Sequence, residues 1–496
     1  MNDQARAPEL GDLPDEEFRR LLHEVADWIA DYRAGIETRR VVPEQTPGAI
    51  IGELPASPPE HAQPMDEILR DFDRVVMPGI VHWGHPSFLG YFATTTNAPG
   101  IIGEMLSAAL NVSAMTWQTS PAATELESVV LDWIRQMLGL PAEFWGVVYD
   151  TASVAVLHAL AAAREEIGFG VRREGLAGRA DIPPLTLYAS DQAHSSVEKA
   201  AITLGLGESN VRRVVSDDAY RMSVGALRRA VGEDLRAGRR PLAVVATVGT
   251  TSATSVDPVE EIADVCREHG AWLHVDAAYG GALALLEEGR HVMRGVARAD
   301  SVVFNPHKWL FVPLDFSTLY VRRPESLRRV FSLVPEYLRG DAERAGDSVP
   351  NYMDYGIQLG RRFRALKAWF VIRAFGREGL AARIREARRL ARLVAGWVEA
   401  DERFELLAPV EMGVVCFRAR APHGGTGERV GDEELDELNE RLLARVNATG
   451  AAYLTHTRLH GRLALRIAVG NLLTTERHLA QAWELLRQQL GACGGG

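Results

Sequence analysis

After Pro14, Phe18, Leu21, Leu22, Val25, Ile29 and Tyr32 fall on one face at helical spacing, with Glu16, Glu17, Arg19 and Arg20 opposite, which predicts an amphipathic helix. Helical patterns return at about 99–110, at 121–138 behind Ser120-Pro121, after Val154, from Val197, and from an Asp257-Pro258 cap to about His269. They come again at 361–375 and 379–400, joined at Gly376, at 433–448 and from 475. Between them lie short apolar runs at Val147–Tyr149, Leu185–Ala189, Leu242–Val248, Ala271–Asp276, Asp300–Phe304 and Ser317–Val321, which read as strands of a mainly parallel, buried sheet, with one more helix between Asp276 and Val302. Strands at 413–418, near 452 and at 463–468 belong to a smaller mixed region. Prolines 43, 47, 55, 58, 59 and 64 predict an extended strap over 41–65, and the aperiodic stretch 332–355 predicts a long functional loop. The expected fold class is α/β, with an N-terminal helical and strap segment at 1–85, a large domain at 86–365 and a small α+β domain at 366–496.

With 496 residues, 47% of them hydrophobic and 24% charged, the chain can bury a large core. A formal charge of −11 without acidic or basic blocks argues against nucleic acid or an anionic membrane as partner and leaves small polar substrates open. Cys266, Cys416 and Cys493 form no CxxC or Cys/His cluster, so neither a disulfide framework nor a metal site is expected. With no basic n-region followed by an apolar core, and no run of about 18 apolar residues, a cytoplasmic location is expected.

The chain contains only three lysines, and Lys308 stands out because it lies just past a predicted strand end, in Asn305-Pro306-His307-Lys308-Trp309-Leu310. Partial burial or a cationic neighbour would favour the neutral amine that forms Schiff bases; a strand-end lysine lying beside an aromatic is the plainer reading. At Asp150-Thr151-Ala152-Ser153 a strand meets a helix N-terminus, which suits phosphate or simple N-capping by Thr151 or Ser153. His194 lies at another strand-to-helix junction, where capping and core roles compete with catalysis. The stretch 82–94 crowds Trp83, Phe88, Tyr91 and Phe92 onto Gly- and Pro-punctuated backbone, as a pocket wall or as core. A phosphate junction, a Schiff-base lysine and the strand-terminal Asp276 together match what pyridoxal 5′-phosphate requires, the carboxylate keeping the pyridine nitrogen protonated.

These motifs occur in an order that resembles the group II pyridoxal-phosphate-dependent decarboxylases, most closely the aromatic L-amino acid decarboxylases. The resemblance spans nearly the whole chain: His85-Pro86, Ser120-Pro121-Ala122 with Thr124 to Glu127, Asp191 to Glu198, Gly249-Thr250-Thr251, His274 to Gly280, Asn305 to Leu310 and Leu359 to Arg364. It implies the aspartate-aminotransferase type of fold and a homodimer with its sites at the interface, the N-terminal segment packing across the partner. It implies Lys308 as Schiff-base lysine, Asp276 as partner of the pyridinium, and Thr151, Ala152, Ser153, Asn305 and His307 around the phosphate. Thr251 and Ala278 would contact the cofactor, and His194 would stack on its ring. Trp83, Tyr91, Phe92, Thr94, Met115 and Gly360 would meet the substrate, Gly360 matching the aromatic-amino-acid enzymes. Tyr337 matches the tyrosine that separates amine formation from aldehyde formation. Val154 replaces a usual acidic residue, and Ser113 and Met115 depart from bulkier or aromatic pocket residues, which leaves the substrate open. The implied reaction is decarboxylation of an aromatic L-amino acid, with an aldehyde synthase as the alternative and a catalytically inactive scaffold from another class.

Overall fold

The computed structural model of the chain describes residues 11–92, 95–333, 350–420 and 431–493. Its larger sheet is built from β1 Trp145–Tyr149, β2 Leu185–Ser190, β3 Val211–Val214, β4 Arg240–Thr247, β5 Trp272–Asp276, β6 Ser301–Phe304 and β7 Ser317–Val321. These lie in the order β1-β7-β6-β5-β4-β2-β3. From β3 across to β6 the pairing is parallel, while β7 is antiparallel to both β6 and β1. β1 therefore runs with the parallel set and β7 alone is reversed, so six strands finish at one edge. Helix Ala152–Glu166 crosses β4 to β7 on one face. The strands β2, β5 and β6 are buried throughout, the reason they read as unbroken apolar runs rather than alternating ones.

A second sheet, β8 Phe404–Leu406, β9 Val414–Ala419, β10 Thr455–Leu459 and β11 Arg462–Ala468, is antiparallel in the order β10-β11-β9-β8. Helices Asp432–Ala448 and Glu476–Cys493 pack with it, together with the long stretch Arg364–Ala400. That stretch breaks at Gly376, whose φ of 64° only glycine adopts without strain, where the sequence predicted a joint.

Several expectations need correction. The Pro-rich strap contains a five-residue helix, Ala49–Glu53. In place of one helix between β5 and β6 there are three 3-10 segments, Gly280–Leu285, Glu287–Met293 and Val296–Arg298; the glycines and short apolar repeats there do not sustain a full helical face. Asp257 does not cap helix Val259–His269: its carboxylate instead accepts from Met222 N (2.7 Å) and Thr247 N (2.8 Å). The strand expected near 452 starts at Thr455, and β3 and β8, with four and three residues, are too short for a periodic signal. Within the aperiodic stretch, Tyr352–Tyr355 forms a 3-10 turn, whereas residues 334–349 lie outside the described residues.

One buried ion pair ties the chain together ahead of the site. Glu127, 1% exposed, accepts from Arg361 Nη1 (3.0 Å), Arg361 Nη2 (2.6 Å) and Val148 N (3.1 Å). The guanidinium also donates to Ala114 O and Val148 O. Both terminal nitrogens of the guanidinium and both carboxylate oxygens are thereby met, the condition for a buried pair to be tolerated.

His158, on helix Ala152–Glu166, is 1% exposed, lies against Tyr149 and Phe331 with ring centroids 4.5 Å away in each case, and among the described residues has no hydrogen-bond partner at either nitrogen. Burial pushes its pKa down to about 3. The unfolded chain protonates this imidazole near its ordinary value while the native one stays neutral, so stability is present above about pH 6.5 and is lost as pH falls toward 3. Over pH 6.5 to 5 this costs about 2 kcal/mol. His158→Leu should therefore lose less stability than the unmodified protein between pH 7 and pH 5 in urea titrations, and equal losses would contradict the assignment.

Candidate active site

Strand register levels the ends of β4, β5 and β6: Thr247 pairs with Asp276, and Asp276 with Val303. Chain leaving these ends carries most of the predicted side chains. After β6, Lys308 N donates to Asn305 O (2.9 Å), a tight turn that holds the lysine at the sheet edge. Its flanks are occupied in fixing it. Asn305 Oδ1 accepts from Ser317 Oγ (2.6 Å), Asn305 N donates to Ala278 O (3.1 Å), and His307 Nδ1 accepts from Phe316 N (2.9 Å). His307 is buried and neutral, its pKa pushed to about 3 by desolvation and then by Lys308.

Desolvation lowers the Lys308 pKa; Asp276 opposes the shift and Arg466 adds to it. The direction favours the neutral amine. Lys308 Nζ lies 4.8 Å from the Phe92 ring centroid, and Phe92 stacks on Tyr279 (4.0 Å), which stacks on Trp309 (4.7 Å). Asp276, 8% exposed, accepts from Ala278 N at Oδ1 (3.0 Å), while its carbonyl takes Val248 N (2.8 Å). Among the described residues no hydrogen bond uses Asp276 Oδ2, which leaves it for a cationic N–H.

His194 Nδ1 accepts from Ser196 N (3.1 Å), which places the ring proton on Nε2 at the solvent side. Desolvation lowers its pKa, Asp276 opposes and Lys308 reinforces, so the ring is neutral near pH 7. Thr251 is carried on a turn that needs two glycines. A Cβ on Gly249, whose φ is 90°, would lie 2.9 Å from Gly280 N, and one on Gly280 would lie 2.4 Å from Val248 O. Their absence lets the Thr251 turn close against the chain that follows Ala278.

At the end of β1, Thr151 precedes helix Ala152–Glu166 without making a side-chain cap; its own N–H is taken by Asp150 Oδ1 (2.7 Å). The amides of Ala152, Ser153 and Val154 have no acceptor among the described residues. Three free N–H groups at the positive end of a helix make an anion site. The capping alternative is thereby set aside for Thr151. This donor set fits a phosphorylated pyridine aldehyde: free amides for its phosphate, Asp276 for a protonated ring nitrogen, Lys308 for the aldehyde, and His194 with the small Ala278 for the two ring faces.

Trp83 and Tyr91 stack on each other (5.4 Å, 10° between planes), and the chain continues directly into Phe92. Around Met115 and Gly360, Ala114 N donates to Arg361 O (2.8 Å) and Met353 N to Met115 O (3.0 Å), and among the described residues no hydrogen bond or ring contact joins Met115 or Gly360 to Lys308, His194 or Asp276. Thr94 and Tyr337 lie outside the described residues.

Sequence reading missed Arg466. It is 4% exposed on β11, stands 4.8 Å from the Phe92 centroid, and donates from Nε to Ser252 O (3.2 Å) and from Nη1 to Tyr91 O; among the described residues it has no carboxylate partner and Nη2 has no acceptor. The signal was present, since an arginine interrupts the apolar run Leu463-Ala464-Leu465-Arg466-Ile467-Ala468.

Residues 47–420 match the family model described as the pyridoxal-dependent decarboxylase conserved domain. The chain is 40% identical over 486 residues to tryptophan decarboxylase 1 of Oryza sativa subsp. japonica, covering 95% of this chain and 93% of that one. It is 39% identical over 492 residues to the phenylacetaldehyde synthase of a Rosa hybrid cultivar, covering 97% and 95%. The crystal structure of Oryza sativa TDC with PLP and tryptamine superposes with a TM-score of 0.92 at 39% identity, covering 97% of this chain and 99% of that one. With the family's sheet, its ordered motifs and a donor set fitted to its cofactor, the chain belongs to the pyridoxal-dependent decarboxylase family and is a pyridoxal-phosphate-dependent enzyme of it.

Proposed function

We propose that this enzyme decarboxylates an aromatic L-amino acid, of the tryptophan, 5-hydroxytryptophan, tyrosine, DOPA or phenylalanine type, to the amine and CO₂. The observation that carries the substrate class is the aromatic wall Trp83-Tyr91-Phe92 arriving beside Lys308 Nζ. When bound, pyridoxal phosphate supplies the sink for the electron pair left as the Cα–carboxylate bond breaks. Lys308, held toward its neutral form, is the amine that gives way to substrate; Asp276 Oδ2 keeps a proton on the pyridine nitrogen; Thr151, Ala152, Ser153 and Asn305 hold the phosphate, with His307 close by and Thr251 and Ala278 against the cofactor. His194 offers Nε2–H toward the substrate carboxylate. Tyr337 returns a proton to Cα after CO₂ has left and keeps oxygen and water from that carbon.

The same reading assigns Met115 and Gly360, which make no hydrogen bond or ring contact with Lys308 among the described residues, to a site completed by a second copy, with Thr94 also at the substrate. Its support is apolar surface. Helix Asp15–Ala34 buries only Leu21 and leaves Phe18 and Leu22 exposed, and helix Ala98–Leu110 exposes Ile102, Met105, Leu106 and Leu110. Contiguous apolar surface of this kind marks an interface. A homodimer is expected, and sedimentation giving the mass of a single chain at micromolar concentration would remove that part. No described helix is long and apolar enough to cross a membrane.

A panel of amino acids assayed for amine, aldehyde and peroxide tests the reading: tryptophan, tyrosine or their hydroxylated forms should be turned over faster than histidine or glutamate, and the reverse order would overturn it. Lys308→Ala should abolish amine production and the cofactor's visible absorption as a lysine adduct, since Lys199 is exposed and Lys367 is paired with Glu104 (3.0 Å). Asp276→Ala should lose cofactor affinity and rate together; unchanged occupancy and turnover would mean another carboxylate serves the ring. Tyr337→Phe should bind cofactor normally, make amine slowly and release aldehyde with peroxide under air. Peroxide from the unmodified protein would instead favour an aldehyde synthase, the activity named for the rose relative.

A further inference from the structure

Of the two carboxylate oxygens of Asp276, the structure fixes one. Oδ1 accepts from Ala278 N (3.0 Å), and among the described residues no hydrogen bond uses Oδ2. A single amide leaves the plane of a carboxylate free to turn, yet a carboxylate that is to face one N–H of a flat ring needs that plane set. A second donor has to come from the neighbours of Asp276 on its own sheet face.

Strand register names those neighbours. Trp272, His274 and Asp276 alternate onto one face of β5. Paired residues of parallel strands put their side chains on the same face, so Thr247 of β4 flanks Asp276 on one side and Val303 of β6 flanks it on the other. Val303 has nothing to donate. His274, two residues back, turns Nδ1 to Ser301 Oγ on β6 (2.8 Å), where Trp272 Nε1 also donates (2.8 Å), and its Nε2 has no partner among the described residues. Thr247 brings a hydroxyl level with the carboxylate.

That hydroxyl has no other use. Thr247 is 4% exposed, and among the described residues Oγ1 has no hydrogen-bond partner. Its backbone is held from two sides: N donates to Asp257 Oδ2 (2.8 Å), O accepts from Asp257 N (2.9 Å), and the next residue, Val248, donates to Asp276 O (2.8 Å). With the two strands pinned side by side, χ1 alone places Oγ1. Neighbouring strands lie about 4.8 Å apart, a gap that a threonine hydroxyl and an aspartate carboxylate span when they turn toward each other. The preceding residues of β4, Leu242 to Ala246, are all apolar, and valine at 247 would fill the same volume without burying an unmet hydroxyl. A buried donor without an acceptor beside a carboxylate with an unused oxygen is a matched pair.

We propose that Thr247 is a positioning residue for the cofactor's ring nitrogen: its hydroxyl donates to Asp276 and sets the plane of the carboxylate, so that an oxygen stays aimed at the pyridinium N–H. The inference rests on the reading of Asp276 as partner of that nitrogen, and Thr247 acts through Asp276.

The test titrates cofactor-free protein with two ligands, pyridoxal 5′-phosphate and its analogue with carbon in place of the ring nitrogen, and follows the absorbance of the lysine adduct. The ratio of the two dissociation constants separates the ring nitrogen from phosphate, aldehyde and ring packing. Thr247→Val should weaken pyridoxal 5′-phosphate about tenfold, the scale of one hydrogen bond to a charged group, and leave the analogue unchanged. Thr247→Ser, which keeps the hydroxyl, should hold the unmodified ratio. Thr247→Ala set against Thr247→Ser isolates the hydroxyl again without a branched side chain, which keeps the test in place where the valine variant fails to fold. Asp276→Ala should abolish the preference for the ring nitrogen, and Thr247→Val added to it should change nothing further. An unmodified ratio in Asp276→Ala would mean that Asp276 does not serve the nitrogen, and the inference would fall with that reading. A preference abolished by Asp276→Ala but kept in Thr247→Val and Thr247→Ala, or an equal weakening of both ligands by those two variants, would overturn the role of Thr247 and leave Asp276 in place.

Discussion

A lysine amine kept from water beside one carboxylate and one guanidinium is the constraint on which the site depends. An ammonium at Lys308 loses hydration and is opposed by Arg466, and among the described residues Asp276 is the group that compensates it. The architecture holds this imbalance through backbone. Asp276 is fixed as the last residue of β5 by pairing on both sides, and Lys308 by a turn whose flanks, Asn305 and His307, bond to Ser317, Ala278 and Phe316. None of these contacts is long-range in the electrostatic sense. They work because six strands end together, so short connections leave the charged groups no room to rotate away.

Much of this was legible because parallel strands buried on both faces are uninterrupted apolar runs, and because chemistry in such sheets gathers after their C-terminal ends. The helix Pro121–Leu138 was readable to the residue from Ser120-Pro121 and the apolar face behind it; Ser120 is its N-cap, accepting from Ala123 N (3.4 Å). Asp257 misled for an instructive reason. Asp-Pro before a helical pattern is a local capping signal, but the carboxylate is 2% exposed and serves Met222 and Thr247, two amides that only the tertiary fold brings there, with its pKa pushed up to about 7 by burial. Long-range partners also explain why Gly90 carried no readable meaning: the ring that excludes its Cβ belongs to residue 453.

The smaller sheet is as much a part of the site as the larger one. Ser252, next to Thr251, is held from that side three times, by Arg466 Nε at its carbonyl (3.2 Å), by Cys416 Sγ at the same carbonyl (3.2 Å) and by Thr457 Oγ1 at its hydroxyl (2.7 Å). Cys416 is thereby a packing and bonding group, its pKa pushed up to about 11 by burial, and not a reactive thiol. Movement of β9–β11 relative to the larger sheet would be felt at once by the Thr251 turn and by Tyr91.

Two buried arginines show how differently the fold treats charge. Arg361 meets Glu127 through two nitrogens and two carbonyls besides, so its charge is neutralised where it lies and the pair serves to join the Ala114 segment to β1. Arg466 is equally buried yet among the described residues is given only two carbonyl oxygens, with Nη2 unmet. An acid beside it would satisfy that nitrogen and would also cancel its effect on Lys308, raising the lysine back toward its protonated form. The cost of an uncompensated guanidinium is therefore tied to the state of the amine nearby: stability is given up at Arg466, where charge must act at a distance, and kept at Arg361, where it need only hold the chain.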